Sequence, residues 1–108
     1  MIEAIQGAGV PMAKLALDAA SLRHQAIANN IANAHTEGYA PLGVRFDARL
    51  AAARRAQPEV VRATNEPVQV DAELVKLSQN TLHYQALLRG IAKHHAILGA
   101  AISDGRRA

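Results

Sequence analysis

Apolar positions fall into two helix-length blocks separated by a mixed middle. From about Met12 to Asn33 the repeat is helical. At 100° per residue, Leu15, Ala19, Leu22 and Ala26 form one stripe. Leu17, Ala20, His24, Ile27 and Ile31 form a second, about 140° away around the axis. Lys14, Asp18, Ser21 and Gln25 supply the consistently polar strip. An ordinary surface helix carries one apolar stripe, so this one predicts partners on two sides. Gly7-Ala8-Gly9-Val10-Pro11 is a breaker cluster. Pro11 suits a first turn, where its missing N–H costs nothing, and this predicts a helix start near residue 12.

The closing block is more regular. Leu74, Leu77, Thr81, Tyr84, Leu88, Ile91, His95, Leu98 and Ile102 alternate spacings of three and four, a heptad seam. Asp71 is a good N-cap, and Val70 with Val75 fits a hydrophobic staple, which predicts a helix over about 71–102. Val75, Leu82, Ala86, Gly90 and Ile97 make a second stripe on nearly the opposite side. Gly90 and Gly99 each cost about 1 kcal/mol relative to Ala in a helix interior, a cost consistent with close approach of another backbone. The expected fold is all-α: one core domain over 1–108, with long N- and C-terminal helices packed as a coiled-coil-like hairpin around an irregular middle, about 34–70.

In that middle, Gly38-Tyr39-Ala40-Pro41-Leu42-Gly43 reads as a turn region, and Val44 and Phe46 alternate. Strong helix formers over 47–55 predict a short helix. Pro58 and Pro67 interrupt the stretch beyond it, so Val60-Val61 and Val68-Gln69-Val70 are short extended segments at most.

Composition narrows the possibilities. The length suits a single domain. Half of the residues are apolar, but many are alanine and the aromatic residues are Phe46, Tyr39 and Tyr84. Such a core buries modest area, and oligomerisation is the expected remedy. The chain has no cysteine, hence no disulfide or thiolate. Met1-Ile2-Glu3 lacks a basic n-region, and no apolar run reaches the roughly 18 residues of a membrane span. A soluble chain is expected, and any export needs a route without a cleaved Sec-type signal.

Charge adds little. The net +3 is concentrated at Arg45, Arg49, Arg54, Arg55 and Arg62, opposed by Asp47 and Glu59. A solvated connector is the simpler reading; contact with nucleic acid or a cell-wall polymer is the alternative, without stacking aromatics between the arginines to favour it.

No reactive constellation stands out. His24, His35, His83, His94 and His95 contain no pair at the i,i+3 or i,i+4 spacing that puts two ligands on one helix face. Ser21, Ser78 and Ser103 lie outside any nucleophile-elbow context, and the glycines form no phosphate-cradling loop. Neither a metal, a cofactor nor an enzymatic activity is expected.

Where the first helix ends, Asn29, Asn30 and Asn33 cluster before Thr36, Gly38 and Tyr39. Asparagine is poor in helix interiors and good at helix ends, since its amide bonds nearby backbone and it tolerates left-handed dihedrals. Asn33 acting as a left-handed cap accounts for part of this.

The run Asn30-Ile31-Ala32-Asn33-Ala34-His35-Thr36-Glu37-Gly38-Tyr39 also resembles the N-terminal signature of the bacterial flagellar axial proteins, N-I-A-N-x-x-T-x-G-Y/F. Val44-Arg45-Phe46-Asp47, Asn80-Thr81-Leu82-His83-Tyr84-Gln85-Ala86-Leu87-Leu88 and Ala101-Ile102 are similar to the proximal-rod branch of that family. The likeness spans about 15–50 and 70–102. It implies a structural rod subunit of the flagellar basal body, periplasmic and exported by the flagellar type III apparatus, which assembles into a helical tube and transmits torque. It further implies self-association and contact with other rod proteins, the adaptor FliE and the export gate, with peptidoglycan nearby. The signature residues Asn30, Ile31, Ala32, Asn33, Thr36, Gly38 and Tyr39 are then an assembly turn. Assembly seams are expected at Leu15, Leu22, Ile27 and Ile31, and at Leu74, Leu77, Tyr84, Leu88, Ile91, Leu98 and Ile102. The competing expectation is a small basic helical nucleic-acid-binding or adaptor protein using Arg49, Arg54, Arg55 and Arg62, whose DNA binding falls steeply with salt.

Overall fold

Helix α1 (Ile2–Ala32) and helix α2 (Val70–Arg107) pack against one another and carry most of the chain. Between them, strands β1 (Leu42–Arg45) and β2 (Glu59–Arg62) form a two-stranded antiparallel sheet that rests on α1. This computed structural model describes residues 2–47, 57–63 and 66–107, with backbone alone for residues 2–10 and Arg107. The short helix expected over 47–55 falls almost entirely outside the described residues.

The hairpin of long helices is as expected, but its boundaries differ. Helix α1 starts near Ile2, ten residues before the expected point, and Pro11 lies inside it. A proline there removes one hydrogen bond and crowds the carbonyl four residues earlier, which belongs to Gly7. Helix propagation is cooperative, so one missing bond need not end a long helix. Gly7 and Gly9 add no side chains to the crowded turn.

At the start of α2, the Glu73 N–H donates to the Gln69 carbonyl at 2.9 Å. Gln69 therefore occupies the N-cap position expected of Asp71. Asp71 and Glu73 lie within the first turn, where their charge favours the positive end of the helix dipole. With the cap moved two residues, the staple of Val70 and Val75 does not form, and Val75 is exposed. No proline interrupts the far end, and the helix runs through Gly99 and Gly105 to Arg107.

The packed face of α1 lies between the two expected stripes and takes in Ala19 and Ala26 of one and Ala20 and Ile27 of the other. Met12, Ala13, Ala16, Ala19, Ala20, Ala26, Ile27 and Asn30 are buried. At 100° per residue these centre on a line midway between the two stripes. The bulkier Leu15, Leu17, Leu22 and Ile31 sit half-buried on its shoulders. Small alanine side chains let the two backbones approach, and the leucines cannot occupy the same line.

On α2 the buried residues are Glu73, Asn80 and Leu87, spaced by seven. This line runs beside the aliphatic seam rather than along it, because two of its three members are fixed by hydrogen bonds. The Asn80 Nδ2 donates to the Ala20 carbonyl at 2.7 Å, and Glu73 accepts from Asn30 at 3.1 Å. Residue numbers thus rise along one helix as they fall along the other, which makes the pair antiparallel.

Strand register places Leu42 opposite Arg62, Gly43 opposite Val61, Val44 opposite Val60 and Arg45 opposite Glu59. The last is an opposite-charge cross-strand pair, a favourable arrangement. The Ala63 N–H extends the ladder to the Pro41 carbonyl at 2.9 Å. The whole is a rod-shaped body of 67 × 27 × 15 Å. Counting outward from the Ala20–Asn80 contact at equal rise, Ile2 lies level with roughly residue 98 of α2. The last turns of α2 therefore project beyond α1.

Candidate assembly site

The expected signature turn folds around one amide. Helix α1 closes with the Asn33 N–H and Asn33 Nδ2 both donating to the Asn29 carbonyl, at 3.0 and 2.9 Å. The Thr36 hydroxyl donates to Asn33 Oδ1 at 3.2 Å, and the Thr36 N–H to the Asn33 carbonyl at 3.0 Å. Tyr39 N–H returns to the Thr36 carbonyl at 3.2 Å. Asn33 acts through its side chain; the left-handed glycine that lets the chain reverse is Gly38, φ 77°.

This reversal brings Tyr39 and Leu42 back onto Asn30, which is 1% exposed. Asn30 Oδ1 accepts from the Tyr39 hydroxyl at 2.8 Å and from the Leu42 N–H at 2.7 Å. Its Nδ2 donates to the Leu42 carbonyl at 2.9 Å and to Glu73 Oε2 at 3.1 Å. An amide has two acceptor sites and two N–H donors, and all four are used. The Leu42 N–H can only donate, and this fixes which end of the amide is oxygen. One residue thereby ties α1, the turn, β1 and α2.

The rest of the turn is braced from outside. Lys76 Nζ meets the other Glu73 oxygen at 3.1 Å. Arg62 Nη1 donates to the Ala40 carbonyl at 2.9 Å, and its guanidinium lies 5.4 Å from the Tyr39 ring centroid, within cation–π range. Arg62 is thus engaged in the fold, whereas Arg49, Arg54 and Arg55 lie outside the described residues. Ile31 is half-buried, and Ala32, Thr36 and Gly38 are exposed.

Of the residues expected to form assembly seams, Leu74, Tyr84, Leu88, Leu98 and Ile102 are exposed, and Leu77 and Ile91 are half-buried. Leu15, Leu22 and Ile31 are half-buried, but Ile27 belongs to the core of this chain and offers little to a neighbour. The opposite stripe also faces outward at Val75, Leu82 and Ile97. Helix α2 thus presents exposed apolar side chains on two sides.

Glu73, Asn80 and Leu87 were not among the expected site residues, and Arg62, expected on phosphate, braces the turn instead. The spacing of seven through Glu73, Asn80 and Leu87 was a usable signal, masked by the polarity of two members.

A groove of about 450 Å³ opens between α1, β1 and α2, lined in part by Arg23, Ile27, Leu42, Val44, Lys76 and His83. Burial, and then the nearby Arg23 charge, lower the His83 pKa below its usual 6.5. A lowered folded-state pKa means that the unfolded chain binds more protons just below 6.5. The neutral-form contribution is therefore fully present above that value and is lost as pH falls towards the folded pKa. Thermal melts should show wild type losing more stability than His83→Gln on acidification from neutral pH. Parallel losses in the two chains would contradict this.

Residues 13–39 match the family model described as flagella basal body rod protein. The match covers the latter part of α1 and the turn through Tyr39, including Asn30, Asn33, Thr36 and Gly38, and ends before β1. It supports a structural role in the flagellar basal body rod. No curated protein matches the chain.

Proposed function

We propose that this chain is a non-catalytic subunit of the proximal rod, of FlgB type, which associates with its own copies and with other rod proteins through the outward faces of α2. The observation that carries the reading is the coincidence of a rod-family match on 13–39 with a helix whose large aliphatic side chains face away from its own core. Burying an exposed Leu or Ile contributes roughly 1.5–3 kcal/mol each, so a row of them is a strong drive to associate. Helices with apolar surface on two sides favour heterologous contacts, which extend into a tube when the rotation does not close a ring.

In this reading the rod lies in the periplasm, is reached by type III export without a cleaved signal, and transmits torque. FliE and the export gate are the neighbours at its base. The test is a deletion in a flagellated host, complemented with the tagged chain. Purified basal bodies should lack a rod in the deletion and should contain the tagged chain after complementation. Intact rods in the deletion strain would reject the proposal.

A further inference from the structure

The two ends of this molecule differ in a complementary way. At one end lies the groove, lined by the apolar Leu42 and Val44 and by Arg23, Lys76 and His83. Its one carboxylate, Glu73, already accepts from Asn30 and Lys76. Among the described residues Arg23 has no ion-pair partner. At the other end, Ile97 lies just short of the projecting turns of α2, which carry Ala101 and Asp104, and all three are exposed. Positions 97, 101 and 104 share one helix face, and Arg106 lies about 160° away from Asp104 around the axis. Asp104 likewise has no ion-pair partner among the described residues.

We infer that this end of α2 docks into the groove of a second copy, head to tail, with Ile97 against Leu42 and Val44 and Asp104 facing Arg23. The inference rests on the reading of the chain as a self-assembling rod subunit and assigns the partner of its basic groove. Docking within one chain is out of reach. Asp104 lies 21 residues beyond His83 on one continuous helix, about 32 Å at 1.5 Å per residue. A second copy supplies the missing carboxylate with no further component. Because groove and projection sit at opposite ends of a 67 Å body, the contact repeats along the axis and does not close on itself.

Sedimentation and disulfide trapping test this contact. Asp104→Lys is at an exposed helix end and should fold, yet weaken self-association about tenfold by placing like charges together. Arg23→Glu should do the same, and mixing the two variants should restore association between unlike chains. The chain has no cysteine of its own, so Lys76→Cys and Ala101→Cys chains, mixed and oxidised, should yield a heterodimer. Absence of both rescue and trapping, or a wild-type chain that stays monomeric at high concentration, overturns the inference. The His83 resonance gives a further readout: its pKa should rise when the Asp104 carboxylate docks beside it, and no change on association counts against the contact. Should these fail while rods still require the chain, this contact alone is wrong and the rod reading stands.

Discussion

Leu88→Asp is expected to leave the isolated chain folded while abolishing rod incorporation and swimming. Leu88 is 44% exposed, whereas its neighbour Leu87 is fully buried. A surface substitution away from special features usually shifts stability within about 0.5 kcal/mol. In an assembled seam, however, the same change puts a carboxylate into an apolar contact, where an unpaired charge is strongly unfavourable. The neighbouring truncation should behave oppositely. Leu87→Ala removes a buried side chain and should cost about 2–5 kcal/mol of monomer stability. Circular dichroism of the two chains, set beside swimming assays and basal-body preparations, separates the outcomes. A swimming Leu88→Asp strain with intact rods would remove α2's outward seam from the assembly.

Asn30→Leu should be the most damaging single change to the fold. It leaves the Tyr39 hydroxyl and both Leu42 backbone groups without their partner, and strips one hydrogen bond from the buried Glu73 carboxylate. Each buried polar group left unsatisfied costs about 1–3 kcal/mol, and a lost hydrogen bond to a carboxylate about 1.5–3 kcal/mol. The total rivals the whole stability of a small domain, about 5–15 kcal/mol. Denaturant unfolding should show a midpoint at or near zero denaturant. Asn30→Asp would add a diagnostic sign. Two facing carboxylates raise each other's folded-state pKa, so its stability should be present in acid and be lost as pH rises. An Asn30→Leu chain with a near-native midpoint would mean that the four hydrogen bonds contribute little.

The long helices are legible because their apolar content repeats with helical period, and Asn30 stands out because three asparagines at a helix end exceed what one cap requires. What the pattern conceals is which side packs inward. Residues such as Leu15, Leu22, Leu74 and Leu88 dominate any hydrophobicity profile, yet the interhelical line runs through alanines on α1 and through Glu73 and Asn80 on α2. Those two polar residues are buried because of partners far away in the chain, Asn30 and the Ala20 carbonyl. The spacing of seven marks their line on α2, but local pattern does not say with which groups they pair. Pro11 misleads for a related reason: breaker rules describe isolated turns, whereas a helix of this length tolerates one absent bond. Val60-Val61 reads as extended, but its pairing with β1 escapes notice because each strand has four residues and the pairing skips the segment between them.

The alanine face of α1 has a mechanical consequence. Small, uniform side chains interlock weakly along the axis, so on packing alone the two helices could slip past one another under axial load. Two polar pins, Asn30 to Glu73 and Asn80 to the Ala20 carbonyl, prevent this. Displacement by a single residue would break both at once and leave buried groups unsatisfied, so the resistance to shear is abrupt rather than gradual. A subunit built this way holds its length under force until it yields all at once.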